Sequence, residues 1–122
     1  MLLNDFFHIT DQQIEGSEIN ALLIINAGHK IFEGHFPGQP VVPGVCMMQM
    51  IKEIMEEITQ QKTNLIKAHD MKFLAVIDPV KNNAIQVNLK YSIEADSSII
   101  VSASLFKDEL VHFKFKGQFG SQ

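Results

Sequence analysis

One histidine, His35, sits inside Gly34-His-Phe-Pro-Gly-Gln-Pro-Val-Val-Pro-Gly-Val45, a run with three of the chain's four prolines and three of its seven glycines. Prolines 37, 40 and 43 recur at every third residue, which favours a stiff, extended path. Pro43 then precedes Gly44 and an apolar run, where proline suits the start of a helix. A helix N-terminus leaves backbone N–H groups unpaired and carries partial positive charge. Gly44 puts no side chain in the way of a ligand approaching that backbone. N–H groups near Gly44, Val45 and Cys46 could therefore hold a developing oxyanion or enolate. His35, nine residues before Gly44, could act as the base beside it, since imidazole titrates near neutrality. Proton abstraction next to a carbonyl needs this pair of elements. The competing reading is a rigid strand-to-helix corner carrying an incidental histidine.

The elements that must position these residues can be read from periodicity. Ile19–Ile25 reads as a strand, turned by Asn26-Ala-Gly28 into the Pro/Gly run. From Val45, the positions Met47, Ile51, Ile54, Met55 and Ile58 fall at helical intervals, with Gln49, Glu53, Glu56 and Gln60 on the other side. This predicts an amphipathic helix of about four turns that ends between Gln61 and Asn64. Alternation then predicts strands at 71–77, 85–93, 99–106 and 111–119, with turns at Asn82-Asn83, Asp96-Ser97-Ser98 and Lys107-Asp108-Glu109. One strand, one helix and a run of meandering strands imply an α+β domain spanning residues 1–122, its antiparallel sheet packed on the helix. So apolar a sheet with a single helix to cover it also suggests a dimer.

Composition narrows the function classes. The chain has 122 residues, ten positive and fourteen negative, for a net charge of −4. All ten positive side chains are lysine, which argues against nucleic-acid binding, where arginine forks carry much of the recognition. A lone cysteine, Cys46, cannot form an internal disulfide and suits a reducing compartment. The first residues lack a basic, then apolar, leader pattern, and no uncharged run is hydrophobic enough to span a bilayer. The expectation is a cytoplasmic protein.

The gapless match of Gly34-His-Phe-Pro-Gly-x-Pro-x-x-Pro-Gly-Val45, followed at once by an amphipathic helix, resembles the signature of the 3-hydroxyacyl-[acyl carrier protein] dehydratases. It covers about residues 31 to 49. The resemblance implies a hot-dog fold, a curled antiparallel sheet wrapped around one long central helix. It also implies a dimer, either a homodimer or higher homo-oligomer, or a heterodimer with a related dehydratase chain. The implied substrate is an acyl thioester carried on the phosphopantetheine of an acyl carrier protein, with no metal or other cofactor. By the same resemblance His35 is the base and Gly44 and Val45 bind the thioester carbonyl. Phe36 and Pro37 line the pocket.

At the next functional position the chain departs from that pattern. The family's helix carboxylate falls at Gln49, and an amide cannot donate a titratable proton. Four residues on, where the family often has glutamine, stands Glu53. Positions 49 and 53 are neighbours on one helix face, about 6 Å apart along the axis. Three readings follow. Glu53 takes the acid role, or His35 moves both protons while Gln49 only orients the hydroxyl, or the chain pairs with a relative that supplies a glutamate. Glu53 could instead lie on a solvated face with Glu56. Two further alternatives are a thioesterase, with Glu53 activating water, and a non-catalytic acyl-binding or partner subunit.

The remaining candidates carry less. His8, His29, His69 and His112 lack spaced ligand partners and read as structural or surface residues. Cys46 near a helix N-terminus could be reactive or simply packed. The helix methionines suit packing or an acyl tunnel, whose depth would depend on Met48, Phe73 and Leu74. Lys62, Lys67 and Lys72 could meet an acidic carrier protein.

Overall fold

The computed structural model describes residues 1–33, 38 and 40–121. Six strands form one antiparallel sheet in the order β1-β2-β4-β5-β6-β3. They are β1 (Phe7–Glu15), β2 (Glu18–Ile25), β3 (Thr63–Phe73), β4 (Ala84–Ile93), β5 (Ile99–Lys107) and β6 (Leu110–Ser121). Between β2 and β3 lie a short 3-10 turn, Lys30–Phe32, and the helix α1, Gly44–Thr59. The helix lies in the concave side of the curled sheet, which is the hot-dog arrangement.

The period-two pattern explains the inner face. Ile19, Ala21, Leu23 and Ile25 of β2 are buried, and the first three face Leu89, Val87 and Ile85 of β4 in register. Val87 and Leu89 pair with Leu105 and Ala103 of β5, and those two pair with Phe113 and Phe115 of β6. Against this surface the helix packs Met47, Met50, Ile51, Ile54 and Met55, all buried. The helix ends at Gln60, whose left-handed conformation (φ 56°) closes the last turn through its N–H to the Glu56 carbonyl.

One strand was not anticipated and two sequence-based expectations need correction. Strand β1 is not visible in periodicity, because it is an edge strand of mostly exposed, polar residues with a bulge between Thr10 and Gln13. The strand expected at 71–77 instead runs from Thr63 to Phe73. It too is an edge strand, exposed on both faces along most of its length and bulged twice, so its apolar residues show no alternation. Beyond Phe73 the chain leaves the sheet, and Ile77 accepts a hydrogen bond from the Val42 N–H at 2.9 Å. Lastly, Glu53 is not on a solvated face: it is 1% exposed. The N-terminal residues fold over that side of the helix, which periodicity within the helix cannot reveal.

Candidate active site

The described part of the histidine motif comprises Gly38 and Pro40–Val45; His35, Phe36 and Pro37, expected as base and pocket walls, lie outside the described residues. Pro43 is the N-cap of α1, extended at φ −61° and ψ 146°, and no side chain caps the helix. The N–H groups of Cys46 and Met47 both donate to the Pro43 carbonyl, at 3.0 and 3.2 Å. Cys46 is thus removed from the set of free donors that the sequence suggested. Among the described residues, the N–H groups of Gly44 and Val45 have no acceptor.

Gly44 lines an open apolar groove of about 270 Å³, together with Val42, Met47, Phe73, Leu74, Ala75 and Val76, and Val45 follows it in the chain. The Phe73 ring stacks on Phe113, with centroids 4.9 Å apart. It also crosses close above Gly44, where an added Cβ would lie 2.8 Å from a ring carbon. Gly44 is therefore needed for this close approach of ring and helix end. Of the side chains expected to set tunnel depth, Phe73 and Leu74 do line the groove, while Met47 takes the place of Met48. Val45, Phe73, Leu74 and Val76 are all more than half exposed, an apolar patch continuous with the groove.

Gln49 and Glu53 are joined directly, the Gln49 Nε2 donating to Glu53 Oε2 at 2.8 Å. The same carboxylate accepts from the backbone N–H of Leu2 at 3.0 Å and of Leu3 at 2.7 Å. Neither Gln49 nor Glu53 lines the groove. At about 100° per residue, Gln49 is turned roughly 140° from Gly44 around the helix. Within one chain, the Gly44 end of the helix and the Gln49 amide face different ways.

Sequence reasoning missed the role of the N-terminal segment. Phe6 and Phe7 are buried, and the Phe6 carbonyl accepts from the Asn26 N–H at 2.8 Å. His29 Nε2 lies 3.0 Å from Asp5 Oδ2, while its Nδ1 accepts from the Ile31 N–H at 3.0 Å and caps the 3-10 turn. His29 is thus a brace between residues 1–7 and the approach to the histidine motif. Two apolar clusters at the start of the chain, Met1-Leu-Leu3 and Phe6-Phe7, split by Asn4-Asp5, were the available signal. His8 and His69 are exposed. His112 is buried and holds its Nδ1 3.2 Å from the Ala75 carbonyl; its Nε2 has no partner among the described residues. Among the described residues, no group of three His, Cys, Asp or Glu side chains could hold a metal ion. No helix there is long and apolar enough to cross a membrane.

Cys46 is buried, and burial pushes its thiol pKa up, away from the reactive thiolate. We expect it to react with an aromatic disulfide reagent at pH 8 at least tenfold more slowly than a free thiol, the rate recovering in denaturant. Equal rates before and after denaturation would contradict a packed cysteine.

The profile of the ApeI-like family, described as ApeI dehydratase, matches residues 11–116. The 3-hydroxyacyl-[acyl-carrier-protein] dehydratase FabZ of Haemophilus influenzae is 33% identical over 67 residues, 55% of this chain and 45% of that protein. FabZ of Blochmanniella pennsylvanica is 21% identical over 103 residues, 84% of this chain and 64% of that protein. The chain thus spans about half of the first and under two thirds of the second. In fold it is similar to a chain of the dehydratase heterocomplex ApeI:P from Xenorhabdus doucetiae, with a TM-score of 0.77 at 16% identity over 91% of this chain and 95% of that one. A sigma28-regulated virulence protein from Campylobacter jejuni shares the fold at a TM-score of 0.70 and 13% identity, over 96% of this chain and 84% of that one.

Proposed function

This chain belongs to the ApeI-like dehydratase family, and we propose that it removes water from a 3-hydroxyacyl thioester to give the trans-2-enoyl thioester. The observation that carries this reading is a histidine motif leading into a helix end where Gly44 lines an apolar groove and the Gly44 and Val45 N–H groups have no acceptor among the described residues. In the proposed reaction the thioester carbonyl accepts from Gly44 and Val45, which stabilises the enolate formed when His35 takes the α-proton. The electron pair closes the double bond as the C3–O bond breaks. Gln49 orients the hydroxyl but cannot protonate it. His35, having gained the α-proton, returns it to the leaving oxygen, so the products are enoyl thioester and water with the imidazole regenerated. Phe36 and Pro37 would wall the acyl pocket. The acyl group would arrive on the phosphopantetheine of an acyl carrier protein, and no other cofactor takes part in these steps.

Groove and amide face apart on one helix, so a substrate in the groove would meet the Gln49 of a second chain. The exposed patch of Val45, Phe73, Leu74 and Val76 is where that chain would seat. Phe73→Glu is expected to weaken dimerisation at least tenfold by analytical ultracentrifugation and to lower turnover with it, because a charge enters a desolvated contact. A dimer unaffected by this change would argue for another interface.

Carrier docking would use Lys72, Lys114 and Lys116, which with Ser102 and Ser104 border one hollow on the outer face of the sheet. Lys72 and Lys114 are directly opposed in register; Asp70, 3.8 Å from Lys72 and opposite Lys116, offsets part of that charge and leaves the hollow with three lysines to one carboxylate. Replacing both by glutamate should raise KM about tenfold for carrier-borne substrate and leave KM for the pantetheine thioester unchanged. Equal effects on both substrates would count against docking there.

The assay that tests the reaction follows enoyl product and free thiol separately from a 3-hydroxyacyl pantetheine thioester. Enoyl formation is expected; free thiol without enoyl would overturn dehydration in favour of a thioesterase. Glu53 has little to offer as a base for water, being 1% exposed with both oxygens engaged. A second reading, a subunit completed by a related glutamate-bearing chain, is favoured by Gln49 and by the heteromeric nature of the Xenorhabdus doucetiae complex. Enoyl product that forms only when such a relative is added would select it.

A further inference from the structure

We propose that Glu53 is a positioning residue, clamping the Gln49 amide so that Gln49 meets the substrate with its carbonyl oxygen. The chemical meaning of this clamp rests on the dehydration reading; its geometry does not. A carboxylate removed from water is costly unless its oxygens are well hydrogen-bonded. Glu53 is 1% exposed and is compensated by three donors, none of them a cationic side chain. Two come from the backbone of Leu2 and Leu3, about fifty positions away in the chain, and the third is the Gln49 amide. An ionised carboxylate only accepts, so the Gln49 NH2 must turn towards it and Oε1 must turn away.

The site is thereby offered a neutral acceptor with a fixed direction. A substrate hydroxyl would donate its hydrogen to Gln49 Oε1, leaving its oxygen lone pairs free for the proton that His35 returns. The acid and amide at 49 and 53 have not merely traded places: the negative charge has moved one helical turn back, into the protein, where the N-terminal segment covers it. One consequence is specific. Gln49→Glu alone would put two carboxylates at hydrogen-bond distance, whereas Gln49→Glu with Glu53→Gln rebuilds the pair. In that double variant residue 53 donates to residue 49 through a nitrogen at the Oε2 position and keeps the Leu3 N–H on its oxygen, while the Leu2 N–H gives up its acceptor.

Two readouts test the clamp. The first is hydrogen exchange of the Gln49 side-chain amide by NMR, expected to quicken at least about tenfold in Glu53→Gln. The second is a double-mutant cycle in kcat. Glu53→Gln should lower kcat by about tenfold to a hundredfold with KM nearly unchanged, and should cost nothing further in a Gln49→Ala background. Exchange unaltered by Glu53→Gln overturns the proposal, as does a loss that multiplies with that of Gln49→Ala. If Glu53→Gln does not fold, the thermal stabilities of Gln49→Glu and of the double variant decide: the clamp requires the double variant to be the more stable, and the reverse order overturns it. A wild-type chain that forms no enoyl product would defeat the dehydration reading while leaving amide exchange to decide the clamp.

Discussion

His35→Ala is expected to lower enoyl formation by about 10²- to 10⁴-fold, with the fold and oligomeric state unchanged. The size of the effect follows from what His35 is asked to do. In the proposed reaction it is both the group that removes the α-proton and the group that returns a proton to the leaving hydroxyl. Gln49 cannot substitute in the second step, and Glu53 is engaged by three donors. The helix end would still bind the thioester carbonyl, so KM for the pantetheine thioester should move by less than threefold while kcat collapses. Rates measured at saturating substrate, with circular dichroism as the folding control, separate these outcomes. Activity within a few fold of wild type would remove His35 from the mechanism and return the motif to a rigid corner.

Gly117→Ala should destabilise the chain by about 1–3 kcal/mol or more, seen as a fall of several degrees in thermal midpoint. Gly117 pairs with Val101 on one side and Ala68 on the other, in the strand that joins β3 to the rest of the sheet. A Cβ there would overlap the Phe115 ring and sit 2.7 Å from the Lys67 carbonyl oxygen. The ring is fully buried and packs against Phe119, with centroids 5.9 Å apart, so it has little room to withdraw. The carbonyl belongs to the backbone of β3 and moves only if that strand moves. Because β3 ends in Phe73, whose ring borders the groove, a shift of β3 should also raise KM. An unchanged melting curve would mean that the strand yields more easily than its hydrogen-bond ladder implies.

The strands that periodicity located correctly, β2, β4, β5 and β6, each bury alternate residues against the helix, and burial on one face is what writes a period of two into a sequence. Strands β1 and β3 lie at the two edges of the sheet and bury little, so nothing obliged their residues to alternate. The helix was legible from Met47 to Ile58 for the same reason, but its polar side was not. Glu53 falls in the polar stripe of the helical pattern and yet is buried, because its partners, Leu2 and Leu3, come from the other end of the chain.

The histidine motif and the helix it opens were determined locally, by proline and glycine restrictions on consecutive residues and by the orphan N–H groups that every helix start leaves. Such constraints act over a few residues and can be read directly. Tertiary structure alone decided which donors stay free, which aromatic ring covers Gly44, and that the amide of Gln49 is held by a buried carboxylate. Each of these depends on a contact between segments some thirty to fifty residues apart, or on packing within the first turn of the helix. Burial, not residue type, separates Glu53 from the solvated carboxylates of the helical pattern, and burial is a property of the folded chain.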